Sequence, residues 1–309
     1  MSESLLEPAQ SLLEQAKSVS IERGKRGLCL NINNARALAS VSLFGGQLLS
    51  YIDKSDARER LWLSESAIFD GKTPIRGGVP ICWPWFGAPT RPSLPANSPS
   101  HGFVRTRNWE LCDIQEQCNS CGEVIRTSLM LMPQDLKQAL TFYGLPPSIR
   151  VSLKLIISDT CTITLHTQYD APQGPVLALS QAIHSYFSIP DIATLEIKGI
   201  HGKYADKVNS SQANKSPSPY RISSETDRIH AADANEHIKL FSGEEEWVSI
   251  EHAGHNGTVV WNPWQEKSRQ LKDMNDSGFT KMVCIEAATM PEVVLHPGQL
   301  LSISQCVSS

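Results

Sequence analysis

No stretch of the 309 residues is both long and apolar enough to cross a bilayer. The opening MSESLLEPAQSLLEQAK carries acids and no continuous apolar run, so it reads as neither a signal peptide nor a membrane anchor. The expectation is a soluble, cytoplasmic protein. Charge of one sign is lacking too: the formal net charge is −4, which leaves no global basic field for nucleic acid or a membrane surface. Any anionic ligand must be held by local arginines. There is no P-loop, no GxGxxG between strand and helix, no GxSxG elbow and no HExxH. Cysteine is present eight times, but only Cys118 and Cys121 form a CxxC, and the second ligand pair of a structural zinc site is missing. Most of the other cysteines lie in apolar, strand-like contexts and read as buried thiols. No metal and no cofactor is therefore expected. Helical periodicity is scarce after residue 20, apart from a weak turn near 134–140, and there is no βαβ rhythm, which excludes a doubly wound parallel sheet.

What the chain does have is strand alternation. Leu28, Leu30 and Ile32 alternate with polar residues, as do Ala37, Ala39, Val41 and Leu43. SIRVSLKLIISDTCTITLHTQYDA predicts a hairpin: Val151, Leu153 and Leu155 on one arm, Cys161, Ile163 and Leu165 on the other, with Ser158-Asp159-Thr160 turning between them. Further strands are predicted around 193–198, 246–252, 257–261, 281–286 and 300–306, with a turn at His296-Pro297-Gly298-Gln299. Pro84 to Ser100 carries five prolines and reads as an ordered loop, because Trp85 and Phe86 lie in it; residues 208–219 read as an exposed loop. Neither stretch marks a domain boundary. The predicted organisation is a short N-terminal extension, residues 1–20, with a helix whose one face carries Leu5, Leu6, Leu12 and Leu13. A single all-β, mainly antiparallel domain follows over 21–309.

The densest chemistry lies between Pro74 and Trp109, where Arg76, His101, Arg105 and Arg107 stand among glycines, prolines and tryptophans. Gly77 and Gly78 permit a tight turn or a close backbone approach. Trp83, Trp85 and Trp109 are candidate flat walls for a sugar, or simply core. An arginine fork suits a phosphate. His184 in an aromatic setting is either a silent core histidine or one tuned by its pocket. Glu286, at the end of an apolar strand, is costly unless paired or functional. Asp227 stands between Glu225 and Arg228, with which it can pair locally; Trp261, Trp264 and Lys267 form either a second sugar-facing wall or ordinary packing.

Six blocks in order, PIRGGVPICWPWFG (74–87), HGFVR (101–105), AIHSYFSI (182–189), ETDRI (225–229), VVWNPW (259–264) and MVCIEA (282–287), make the sequence similar to the aldose 1-epimerases, in particular the hexose-6-phosphate mutarotase branch. The resemblance implies a galactose-mutarotase-like β-supersandwich with the sugar in a surface cleft. It implies His184 as general acid at the ring oxygen and Glu286 as general base at the anomeric hydroxyl, with a carboxylate favouring the charged form of His184. Arg76 and Arg105 are the implied phosphate contacts, His101 a second pocket histidine, and Asp227 a partner of sugar hydroxyls. Ser100, where relatives carry glutamine, is a further substrate contact. The implied reaction is cofactor-free interconversion of the α and β anomers of glucose 6-phosphate by a monomer, a small hexose 6-phosphate being the only partner. Alternatives are a mutarotase of unphosphorylated aldoses and a non-catalytic sugar-phosphate-binding protein. A glycoside hydrolase would require two carboxylates flanking the bond, and here a histidine occupies one of those places.

Overall fold

Alternation builds the molecule. In the strand Cys161–Tyr169 every second residue is buried, and Ile149–Ile157 opposite shows the same period of two. Cys161 pairs with Ile157 and Leu165 with Leu153, so the inward residues of both arms share one face, as the sequence predicts. Each such fully buried aliphatic side chain contributes roughly 1.5–3 kcal/mol relative to exposure. The computed structural model describes residues 7–89, 91, 94–213, 215–233 and 236–309.

Three antiparallel sheets dominate. Five strands from Val19–Gly24 to Arg58–Glu59 follow one another as a meander. One eight-stranded sheet runs, in spatial order, Leu195–Lys198, His237–Ser242, Glu245–Ala253, Leu300–Ser308, Cys161–Tyr169, Ile149–Ile157, Val124–Pro133 and Trp109–Cys118. The other, which carries Asp227 and Glu286 and flanks His184, runs Ser211–Ala213, Tyr204–Asp206, Thr226–Ala231, Gly257–Asn262, Met282–Ala288, Ala182–Ile183 and Ile81–Cys82, with Tyr186–Ser188 also paired to Met282–Ala288. Val283, Ile285 and Ala287 of this sheet share a core with Leu153, Leu165 and Ile303 of the second, and with Leu30 and Val41 of the meander.

Met282–Ala288 is buried along its whole length because it is central and covered on both faces. Its odd-numbered residues enter the shared core. Met282 and Cys284 instead join a separate apolar cluster with Tyr186 and Met274, and Glu286 follows on their side of the strand.

The structure decides several readings that the sequence left open. Trp83, Trp85 and Trp109 are core residues, at most 3% exposed, each with its indole N–H bonded to protein: Thr167 Oγ1, Pro99 O and Val104 O respectively. They offer no wall to a ligand. The stretch 208–219 contains a short strand, Ser211–Ala213, because it pairs with Tyr204–Asp206. The weak helical signal near 134–140 is realised as Leu136–Phe142, and the N-terminal helix as Glu7–Gln15. Leu12 and Leu13 of that helix pack on the core, while Leu5 and Leu6 lie outside the described residues. Two glycines hold the loops around the site. A Cβ on Gly78 (φ +60°) would stand 2.3 Å from Leu48 O, and one on Gly102 (φ +72°) 1.8 Å from Trp83 O.

Candidate active site

Strand register brings the two proton carriers together. Ala182 pairs with Ala288 and Tyr186 with Cys284, so the same register puts His184 directly across from Glu286. Facing residues of an antiparallel pair project from the same side of the sheet. Continuing outward, Glu286 is level with Val259 and Ile229; one row along, Cys284 is level with Trp261 and Asp227. The even-numbered positions of MVCIEA, together with His184, Tyr186, Trp261 and Asp227, therefore line one face.

His184 Nδ1 lies 3.4 Å from Glu286 Oε1. The approach is close, but its angle is poor: Nδ1 makes no hydrogen bond, and neither does Glu286 Oε2, although both atoms are buried. The imidazole stacks on Tyr186 with ring centroids 4.9 Å apart and meets Trp261 edge-on at 6.2 Å and Phe86 at 6.4 Å. These rings fix its plane. Burial drives the His184 pKa well below its ordinary value, helped by its neighbours His101, Arg105 and Arg76. Burial likewise drives the Glu286 carboxyl well above the usual range; Asp227 pushes the same way, against Arg105 and Lys207. Burial favours a neutral imidazole facing a neutral carboxylic acid, a state with the same number of protons as the ion pair.

His101 is on the site as well, its ring centroid 5.8 Å from that of His184. Its Nδ1 accepts the Gly87 N–H at 3.3 Å, and burial, then Arg105, Lys207 and Arg76, pull its pKa down to about 3. A neutral ring with Nδ1 accepting carries its proton on Nε2. Arg76 donates to Tyr186 Oη at 3.0 Å and pairs with Asp273 at 3.2 Å. Arg105 donates to Ser100 O at 2.9 Å and, among the described residues, has no carboxylate within ion-pair distance. The Ser100 hydroxyl is turned to Gly87 O at 3.0 Å, so Ser100 orients Arg105 through its carbonyl. Asp227 is partly buried, its pKa raised by burial against the pull of Lys207 and Lys267.

The local pairing imagined for Asp227 does not form: Arg228 pairs with Asp206 at 3.2 Å and Glu225 with Lys267 at 2.7 Å. Trp264 packs on Phe279, so of the two later tryptophans Trp261 alone contacts the His184 ring. Arg107 stacks over Phe103 and lines a different cleft with Gln134, Asp135 and Tyr143.

Two features escape the sequence reading. Lys207 acts on His101, Asp227 and Glu286. Gln305, from the opposite eight-stranded sheet, donates to Ile285 O at 3.0 Å and to His252 Nε2 at 2.7 Å, and accepts the Ser185 hydroxyl. One buried amide thus clamps the neighbours of both His184 and Glu286.

His184, Cys284 and Glu286 place one donor atom each within 4.8 Å of one another, as do Glu236, His252 and His255. In the second group both nitrogens of His252 already have partners, Gln305 and Thr258, which leaves no lone pair for a metal.

The aldose 1-epimerase family model matches residues 29–307. A Salmonella typhimurium protein provisionally named glucose-6-phosphate 1-epimerase is 30% identical over 264 residues, 84% of this chain and 83% of its own length. A Cenchrus ciliaris protein of the same provisional name is 26% identical over 90% of this chain and 80% of its own length. A crystal structure from Salmonella typhimurium, provisionally described as a mutarotase, superposes with a TM-score of 0.82 at 25% identity, covering 95% of this chain and 94% of the other. The register-locked pair, the β-sandwich that carries it and these likenesses agree: the chain belongs to the aldose 1-epimerase family, isomerases that exchange the anomers of aldoses.

Proposed function

We propose that the protein interconverts the α and β anomers of a hexose 6-phosphate, glucose 6-phosphate foremost, with His184 as acid and Glu286 as base. The observation that carries this reading is the facing pair with its two unsatisfied buried atoms, His184 Nδ1 and Glu286 Oε2. Buried polar atoms without partners are costly, and a ligand's oxygens would satisfy them.

The reaction needs one proton removed from the C1 hydroxyl and one delivered to the ring oxygen. Glu286 takes the first and His184 supplies the second; the ring opens to the aldehyde, C1 turns, and closure on the other face reverses the transfers. The single proton of the pair is enough, provided it stands on His184 when the sugar is seated. The phosphate dianion assists by offsetting Arg105 and Arg76, two of the charges that disfavour a protonated His184. Each well-placed acid or base contributes about a hundred- to ten-thousand-fold. Asp227 accepts sugar hydroxyls, Trp261 lies against the ring, and His101 donates from Nε2. Arg105 and Arg76 attract the phosphate, which fixes C1 and O5 against the pair. Ser100 contributes by holding Arg105.

Exchange spectroscopy of glucose 6-phosphate anomers tests this. Acceleration over buffer that is lost in both His184→Ala and Glu286→Ala supports it. Tight binding without acceleration would make the protein a sugar-phosphate binder, and equal turnover of glucose would remove the phosphate from the account.

A further inference from the structure

Lys207 is the cation that the motifs do not contain. It follows Asp206, at the end of the short strand Tyr204–Asp206. Its backbone is held firmly: Lys207 N–H donates to Asp227 O at 2.8 Å, and the buried Asp206 carboxylate accepts the N–H groups of Val208 and Asn209, each at 3.1 Å. From this anchored turn the side chain crosses to the Gly87 loop, where its ammonium lies 3.9 Å from the place a Cβ on Gly87 would occupy. Gly87 is the residue whose carbonyl accepts His101 N–H and the Ser100 hydroxyl, and Ser100 in turn holds Arg105. Lys207 and Arg105 thus flank one turn.

The charge balance distinguishes them from Arg76. Arg76 is neutralised by Asp273 and tied to Tyr186. Among the described residues neither Lys207 nor Arg105 has a carboxylate within ion-pair distance. Two cations beside one loop, neither in a direct ion pair, suit a dianion, while a guanidinium already paired offers less. Lys207 is exposed, so an incoming ligand can reach it at the rim.

On the reading that the substrate is a hexose 6-phosphate, we propose that its phosphate sits beside the hydrogen-bonded Gly87 and His101, between Arg105 and Lys207, and that Lys207 is a specificity-determining residue. Arg76 then adds its attraction from further back while holding Tyr186, on which His184 stacks.

The test compares kcat/KM for glucose 6-phosphate and for glucose in the wild type, Lys207→Ala, Lys207→Arg and Arg105→Ala, with inorganic phosphate as competitor. The wild type prefers the phosphorylated sugar. Lys207→Ala lowers that preference ratio about tenfold or more and weakens inhibition by inorganic phosphate similarly, as loss of a charge-assisted contact does. Lys207→Arg restores most of it. A wild type without preference defeats the hexose 6-phosphate reading itself. A preference that Arg105→Ala abolishes and Lys207→Ala leaves within twofold overturns only the assignment of Lys207.

Discussion

His184 Nδ1 and Glu286 Oε1 stand 3.4 Å apart across one antiparallel pair of strands, yet the imidazole nitrogen makes no hydrogen bond. A purely structural pair would close this gap, because a buried unsatisfied polar atom costs about 1–3 kcal/mol. The arrangement keeps two proton carriers side by side and leaves their lone pairs and proton to a third participant.

Glu286→Gln separates stability from activity. A carboxyl whose folded pKa is raised costs stability above its unfolded pKa near 4.5, and the cost disappears as pH falls to that value. Gln carries no such cost. At pH 7 the variant unfolds at the same or higher denaturant concentration than the wild type, an advantage absent at pH 4.5, while anomer exchange falls about a hundredfold or more. Urea titrations at the two pH values check the sign; a clearly less stable variant at pH 7 would contradict it.

Activity should show no acid limb near pH 6.5. The competent enzyme holds one proton on the pair. It gains a second only below the His184 pKa, which is displaced well below 6.5, and loses its only one above the Glu286 pKa, displaced well above 4.5. The phosphate of the substrate ionises near pH 6, so the profile is taken with glucose as well. An acid limb with its midpoint at or above pH 6.5 in the glucose profile would contradict the assignment.

Gln305→Met keeps the bulk and removes the clamp. It strands the Ser185 hydroxyl and Ile285 O in the core, costing roughly 1–3 kcal/mol. If the amide positions His184 and Glu286, kcat falls about tenfold with KM near the wild-type value, since sub-ångström placement governs transfer more than binding. A destabilised variant with unchanged kcat would leave Gln305 as core alone.

His230 gives a pH-dependent stability term away from the reaction. It is fully buried between the Ser216 and Tyr220 hydroxyls, and burial lowers its pKa to about 4. The unfolded chain takes up a proton below about 6.5 and the folded chain does not, so this contribution shrinks as pH falls from 6.5 towards 4. The stability difference between wild type and His230→Asn therefore narrows by roughly 1.4 kcal/mol per pH unit over that window. Chemical denaturation at pH 7 and pH 5 reads it directly.

Much of this was legible in the sequence, for a physical reason. The alternation in AIHSYFSI and MVCIEA assigns a side to every residue, so antiparallel pairing alone aligns His184 with Glu286. Trp83, Trp85 and Trp109 were ambiguous because an aromatic ring with a polar edge suits a sugar wall and a core equally; their neighbours in space decide, and those are remote in sequence. Lys207 lies in YADKVNS, which carries no motif, and reaches the site only because Asp206 pairs with Arg228. Gln305 did leave a signal: it occupies the inward stripe between Ile303 and Val307, where a polar residue is out of pattern.

The most direct measurement is two-dimensional exchange NMR on equilibrated glucose 6-phosphate anomers with catalytic amounts of enzyme. Cross-peaks between the anomeric signals should strengthen with wild type and fall to the buffer level with Glu286→Gln and His184→Ala, both still folded. Undiminished exchange in those two variants, or none with the wild type, would contradict the account.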